Sequence, residues 1–316
     1  MAPESKPTDS AGFVPGTGSP AGGRLDRLAL RVTKSAQESF HLGRVIGRSF
    51  SIWRRDLVLL FVLALVVSSP RILYAVYRTL APPVTTPMPV PDDLPESFLS
   101  WIAPLLLRST GMALVRSLFV YLSQAVVIFA VYQRLRGRAA TLGESFRGGL
   151  RRIGPVVRVA LVLFVLGTSV SLVFLLAFWF AFTVLDAPRV SLTLVRGLPY
   201  VVPLLSFLLL SPFWVAVPAA VVERSRSFLR RSWILTRGRR LQVFLILVIV
   251  HAIDWGIGQL YGLVRADLPT PVRMAAWWTQ DLLLVALAAV FAVVGYHALR
   301  LEKDGVDTSD LADVFA

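Results

Sequence analysis

Five ionisable residues stand inside stretches otherwise too apolar for charge: Arg71, Arg116, His251, Asp254 and Asp281. A charge held at membrane depth is expensive, so such residues pair with one another, line a polar cavity or relay protons and ions. His251 and Asp254 are three apart, on one face of a helix, near enough to meet. At about 1.5 Å per residue from the basic end of each stretch, Arg71, Arg116, Asp254 and Asp281 lie roughly 20–27 Å up and His251 about 15 Å up. Two arginines and two aspartates at one depth on four segments predict mutual pairing. Arg116 is expected to take Asp254 or Asp281, and Arg71 and Asp281 to reach outer head groups by snorkelling. The sharper alternative is a polar cavity that binds an anionic head group, or that couples to protons through His251 and Asp254.

The segments that carry these residues define the fold class. The chain has 316 residues, 55% of them hydrophobic, and a mean hydropathy of +0.67. Six runs approach or exceed the roughly 20 apolar residues that cross a bilayer: 57–77, 110–132, 159–185, 198–222, 241–263 and 277–299. An all-α integral membrane protein with six transmembrane helices is predicted, its membrane domain covering 36–304 between a disordered tail (1–35) and a short acidic tail (305–316). The first tail is rich in Pro, Gly, Ser and Thr to about residue 23 and has too little apolar surface to order. Pro70 is expected to bend or end the first span. The four prolines of the fourth span (Pro199, Pro203, Pro212 and Pro218) predict kinks whose freed carbonyls need other partners. Residues 98–109 read as an outer amphipathic segment.

Net charge is +14, and of 33 basic residues only Lys6, Lys34 and Lys303 are lysines. The arginines gather beside the spans, in three segments that repeat one pattern. In 41–55, Leu42, Val45, Ile46, Phe50 and Trp53 share a face opposite Arg44, Arg48, Ser51 and Arg55. In 141–153, Leu142, Phe146, Leu150 and Ile153 recur at helical spacing behind a capping box, Thr141-Leu142-Gly143-Glu144. In 223–240, Ser225, Phe228, Leu229, Ser232 and Leu235 share a face, and Gly238 suits a helix stop. Each reads as a basic amphipathic helix lying in the membrane interface, so three helical hairpins are expected, each preceded by such a helix. Glu223 is expected to serve Arg226 or Arg230.

Seven arginines occupy each of 133–158 and 223–240, against two in each of the outer loops 186–197 and 265–276. The positive-inside rule then puts both termini in the cytoplasm. Arg44, Arg48, Arg147, Arg151, Arg226, Arg230 and Arg237 are the expected contacts for anionic lipid at that face. Nucleic acid is not an expected partner, because the charge is explained by topology.

The run Leu229-Arg230-Arg231-Ser232-Trp233-Ile234-Leu235-Thr236-Arg237-Gly238-Arg239-Arg240 resembles a segment of bacterial membrane proteins related to the membrane domain of glycerophosphoryl diester phosphodiesterase. So do residues 296–307, Leu311-Ala312-Asp313-Val314-Phe315, and the opening Leu42-Gly43-Arg44-Val45-Ile46-Gly47-Arg48-Ser49-Phe50. The resemblance spans roughly 40–315. It implies a multi-helix membrane domain in a bacterial cytoplasmic membrane. It transfers no catalytic residue, since the soluble phosphodiesterase domain that some relatives carry has no counterpart here.

Cysteine is absent and histidine numbers three, which removes disulfides and thiolate chemistry. No Walker lysine motif, Gly-x-Ser-x-Gly or His-Glu-x-x-His occurs, and no cofactor or metal site is expected. The expected role is non-catalytic: handling or sensing lipid, or supporting a protein partner or a second copy of the chain. A transporter of a small solute or lipid is the second reading, and a membrane-embedded enzyme of lipid metabolism the third.

Overall fold

The computed structural model describes residues 40–80, 94–183, 201–223, 227–264 and 268–305. Residues 1–39, 81–93, 184–200, 224–226 (Arg226 among them), 265–267 and 306–316 lie outside these residues. Every regular element among the described residues is a helix. In order they are α1 (Leu42–Arg55), α2 (Leu57–Leu80), α3 (Leu94–Leu135), α4 (Leu142–Leu150), α5 (Ile153–Thr183), α6 (described over 201–210), α7 (Ala216–Val222), α8 (Phe228–Thr236), α9 (Arg240–Val264) and α10 (Thr270–Asp304). Six stretches are long and apolar enough to cross a membrane: Leu57–Tyr77, Leu107–Leu135, Ile153–Phe174, Val201–Val222, Arg240–Val264 and Thr270–Asp304. The protein is a multi-pass, all-α membrane protein. Its short helices α1, α4 and α8 each precede a pair of spans.

Alternating spans put these three short helices at one, arginine-rich end. Ion pairs close that end: Arg134 with Asp56 at 3.2 Å, Arg239 with Glu302 at 3.0 Å, and Arg231 with Asp304. The two central spans are α3 and α10. From Leu282 to Leu299, α10 is buried on nearly every face, as expected for a helix apolar all round. It packs against α3, α1, α2, α9, α7 and α8.

Prolines shape the spans in two ways. Pro70 does not end α2, which continues to Leu80. Proline lacks the N–H that would bond the carbonyl four residues back, here that of Val66. The Ser69 hydroxyl donates to that carbonyl instead, at 2.8 Å. The same device recurs in the fourth span: Ser211 donates to Leu208 O at 2.9 Å, the acceptor that Pro212 orphans. There the helix tightens into a 3₁₀ turn, Ser211–Phe213, before α7 resumes, so the fourth span is interrupted. Ser232 Oγ and Thr236 Oγ1 of α8 donate to Pro212 O at 2.8 and 3.2 Å. An irregular backbone is tolerated at membrane depth where it is buried and satisfied in this way.

Several expected boundaries and faces shift. Residues 98–109 belong to the continuous α3. Span three begins at Ile153, two residues after α4, and span six at Thr270, where Pro271 suits a helix start. The buried side of α1 (Val45, Ser49, Ile52) packs on α10, and Phe50 meets Phe291 edge-on at 5.5 Å. Its apolar face is thus partly taken up by protein, with Val45 and Ile52 buried and Phe50 still exposed. In α4 the buried residues are Ser145 and Gly149, while Leu142 and Ile153 are exposed. Small residues turn inward because α4 lies against α3: a Cβ on Gly149 would sit 2.8 Å from Val126 Cα. Gly238 does end α8 as expected, with φ +86°.

Candidate functional site

At the far end, opposite the arginine-rich helices, α2, α3 and α10 bring Arg71, Arg116 and Asp281 together. Asp281 takes both guanidiniums: Arg71 Nη2 donates to Oδ2, and Arg116 Nη2 to Oδ1 at 3.0 Å. Arg71 and Asp281 therefore pair with each other inside the protein and do not snorkel. The Arg71 side chain is 8% exposed and that of Asp281 11%, whereas Arg116 is 56% exposed. Two tryptophans carry the arginines. Arg71 Cζ lies 4.7 Å from the Trp278 ring centroid, and Arg116 Cζ 5.8 Å from that of Trp277, both within cation–π range. A Ser68–Ser123 hydroxyl bond of 3.0 Å fixes α2 to α3 just below.

The charge is not balanced. Arg71 Nε and Nη1 are buried and have no acceptor among the described residues. Beside them opens a cleft of about 840 Å³, lined by Arg71, Tyr74, Arg108, Met112, Arg116, Phe119, Trp277 and Trp278 among others. Among the described residues its lining holds three arginines and no acid. An apolar, aromatic wall with convergent cationic groups is the chemistry of an amphiphile site with an anionic head.

On the other side of Arg116 and Trp277 lies a second cleft, about 420 Å³. It is lined by Gln124, Phe207, His251, Asp254, Gln280 and Asp281 as well as those two. Here Asp254 accepts from Gln280 Nε2 at 3.4 Å, not from Arg116. The His251 ring meets Phe207 at 5.1 Å between centroids. The i, i+3 spacing puts His251 and Asp254 on one wall, but each has found a partner on another helix.

At the arginine-rich end the basic residues divide into two sets. Arg44, Arg48, Arg147, Arg151, Arg230 and Arg237 are exposed. Arg134, Arg231 and Arg239 are held by acids. Arg231 bonds Glu223 at 2.9 Å as well as Asp304, and Tyr296 donates to the same Glu223 oxygen at 2.7 Å. Burial works against the Arg231 charge, but its hydrogen bonds to Asp304 and Glu223 outweigh it and hold the group above its ordinary range. Glu223 thus serves Arg231 and Tyr296, not Arg230.

Four residues escape a reading of the sequence. Trp277 and Trp278 mark only the start of span six until α2 and α3 lay arginines over them. Arg108 sits in a segment read as outer and amphipathic. Asp56 is buried between α1 and α2 and pairs with Arg134; a lone acid directly after Arg54-Arg55 was its signal. Compared with known protein families, curated proteins and solved structures, the chain matches none.

Proposed function

We propose that the protein is a non-catalytic, lipid-binding membrane protein that holds a phosphate-bearing lipid in the far-end cleft. The single observation that carries this reading is the set of three arginines, with no acid among the described lining residues, around an aromatic cleft. Arg108 and Arg116 meet the phosphate, and the walls of α2 and α3 receive the start of the acyl chains. Arg71 adds positive field from below, since Asp281 covers only one edge of its guanidinium. The test is phospholipid retained per protein after purification in mild detergent. Arg108→Gln with Arg116→Gln should remove most of it, and Arg230→Gln with Arg237→Gln should leave the cleft's lipid in place. Equal retention in all three proteins overturns the reading.

The orientation belongs to the same proposal. The six exposed arginines face the cytoplasm and its anionic lipid, each adding about 1 kcal/mol of attraction, and the cleft opens on the outer side of a bacterial cytoplasmic membrane. Because the chain contains no cysteine, single cysteines at Arg138 and Thr270 report this cleanly: an impermeant thiol reagent should label only the second from outside. Relation to the membrane domain of the phosphodiesterase family rests on residues 229–240, 296–307 and 311–315. A second reading, lipid or solute transport, draws on the interruption at Ser211–Phe213, because broken spans mark substrate sites in transporters. Movement of a fluorescent lipid across proteoliposomes, lost on Arg116→Gln, would favour it.

A further inference from the structure

The two far-end clefts differ in sign. The larger presents Arg71, Arg108 and Arg116 and no acid. The smaller adds Asp254 and Asp281. They touch along Arg116 and Trp277, which line both. Asp281 is already committed to two arginines, but among the described residues Asp254 is met only by the neutral amide of Gln280 at 3.4 Å. A carboxylate at membrane depth without a cation marks a functional position. Beside it stand the rings of Phe207 and Trp277, and aromatic faces next to an acid are the setting that recognises ammonium groups.

We infer that the ligand is a zwitterionic aminophospholipid, whose phosphate lies against Arg108 and Arg116 and whose ammonium crosses Trp277 to reach Asp254. This rests on the lipid-binding reading and sharpens it from a phosphate-bearing lipid to one that also carries a cation. A purely anionic lipid fills the first cleft and leaves Asp254 unanswered. The neutral Gln280 keeps Asp254 oriented without cancelling its charge.

The experiment uses the whole protein in nanodiscs of equimolar phosphatidylethanolamine and phosphatidylglycerol, with retained lipid read by native mass spectrometry. Wild type should hold phosphatidylethanolamine over phosphatidylglycerol by about five-fold, the size of one ammonium–aromatic and carboxylate contact. Asp254→Asn should bring the ratio to one while total retained lipid is unchanged. An ethanolamine lipid acetylated on its nitrogen tests the same contact on the unaltered protein and should lose the preference. Equal holding of both lipids by wild type, or a preference that survives Asp254→Asn or acetylation, overturns the inference and leaves phosphate binding standing. Retention of neither lipid overturns both.

Discussion

Asp281→Asn should be the most damaging single change in the far-end cluster. Removing one partner of a buried ion pair costs about 3–5 kcal/mol, because the other charge is left stranded. Arg71, 8% exposed, is that stranded charge. Arg116 is 56% exposed, so its contact with Asp281 adds at most about 1 kcal/mol. An asparagine oxygen can still accept from Arg71, which returns about 1–1.5 kcal/mol. The net expectation is about 2–4 kcal/mol, measured by equilibrium unfolding in mixed micelles. Asp254→Asn is the control and should stay within about 0.5 kcal/mol, since its carboxylate is exposed and holds no arginine. The double variant Arg71→Met, Asp281→Leu should return to within about 1 kcal/mol of wild type, because it removes the desolvation penalty together with the attraction. If Asp281→Asn behaves like Asp254→Asn, or if the double variant is as unstable as the two single changes summed, the buried-pair account is wrong.

Other perturbations separate packing from charge. Gly149→Ala should destabilise by about 1–3 kcal/mol through overpacking against Val126. Gly143→Ala in the same helix has nothing within 4 Å and should be neutral or raise stability by up to about 1 kcal/mol; thermal midpoints in detergent compare the two. Ser232→Ala with Thr236→Ala strips both donors from Pro212 O and should cost about 1–3 kcal/mol. Hydrogen exchange should rise locally around 211–216 in that variant. Arg231→Gln should lose about 2 kcal/mol, between the surface and buried ranges, as Glu223 and Asp304 lose their shared cation. Arg230→Gln, exposed one residue earlier, should leave the unfolding midpoint unchanged.

The parts of the fold legible in the sequence were those fixed by one-dimensional pattern. Run length placed six spans, and arginine clustering placed three short helices at one end. The Thr141 cap was legible too: its Oγ1 accepts from Glu144 N at 3.3 Å. What pattern could not supply was which neighbour each face would meet. Helical spacing put Leu142, Phe146, Leu150 and Ile153 on one interfacial face of the α4 segment but did not show that Ser145 and Gly149 would be the buried contact with α3, where small residues let backbones approach closely. Depth counting brought Arg71, Arg116 and Asp281 to one level. Choosing Asp281 over Asp254 as the shared acid required the lateral order of the spans, which no periodicity records. Pro70 left bending and ending both open for a related reason: what lets α2 continue is the hydroxyl of Ser69, adjacent in sequence but informative only once the helix is built.

The ties of α10 bear on how the protein is made. Asp281 answers Arg71 and Arg116, Glu302 answers Arg239, and Asp304 answers Arg231. Every one of these arginines is synthesised before its acid. During translation the earlier spans enter the bilayer with Arg71, Arg116 and Arg239 unanswered, with Arg231 held by Glu223 alone, and with the seat for Gly295 against Trp214 vacant. The helices can be inserted one by one, but the bundle cannot lock until α10 arrives. A ribosome stalled before Thr270 should therefore expose a membrane intermediate that chaperones and membrane proteases recognise, and release of α10 is the step that ends that exposure.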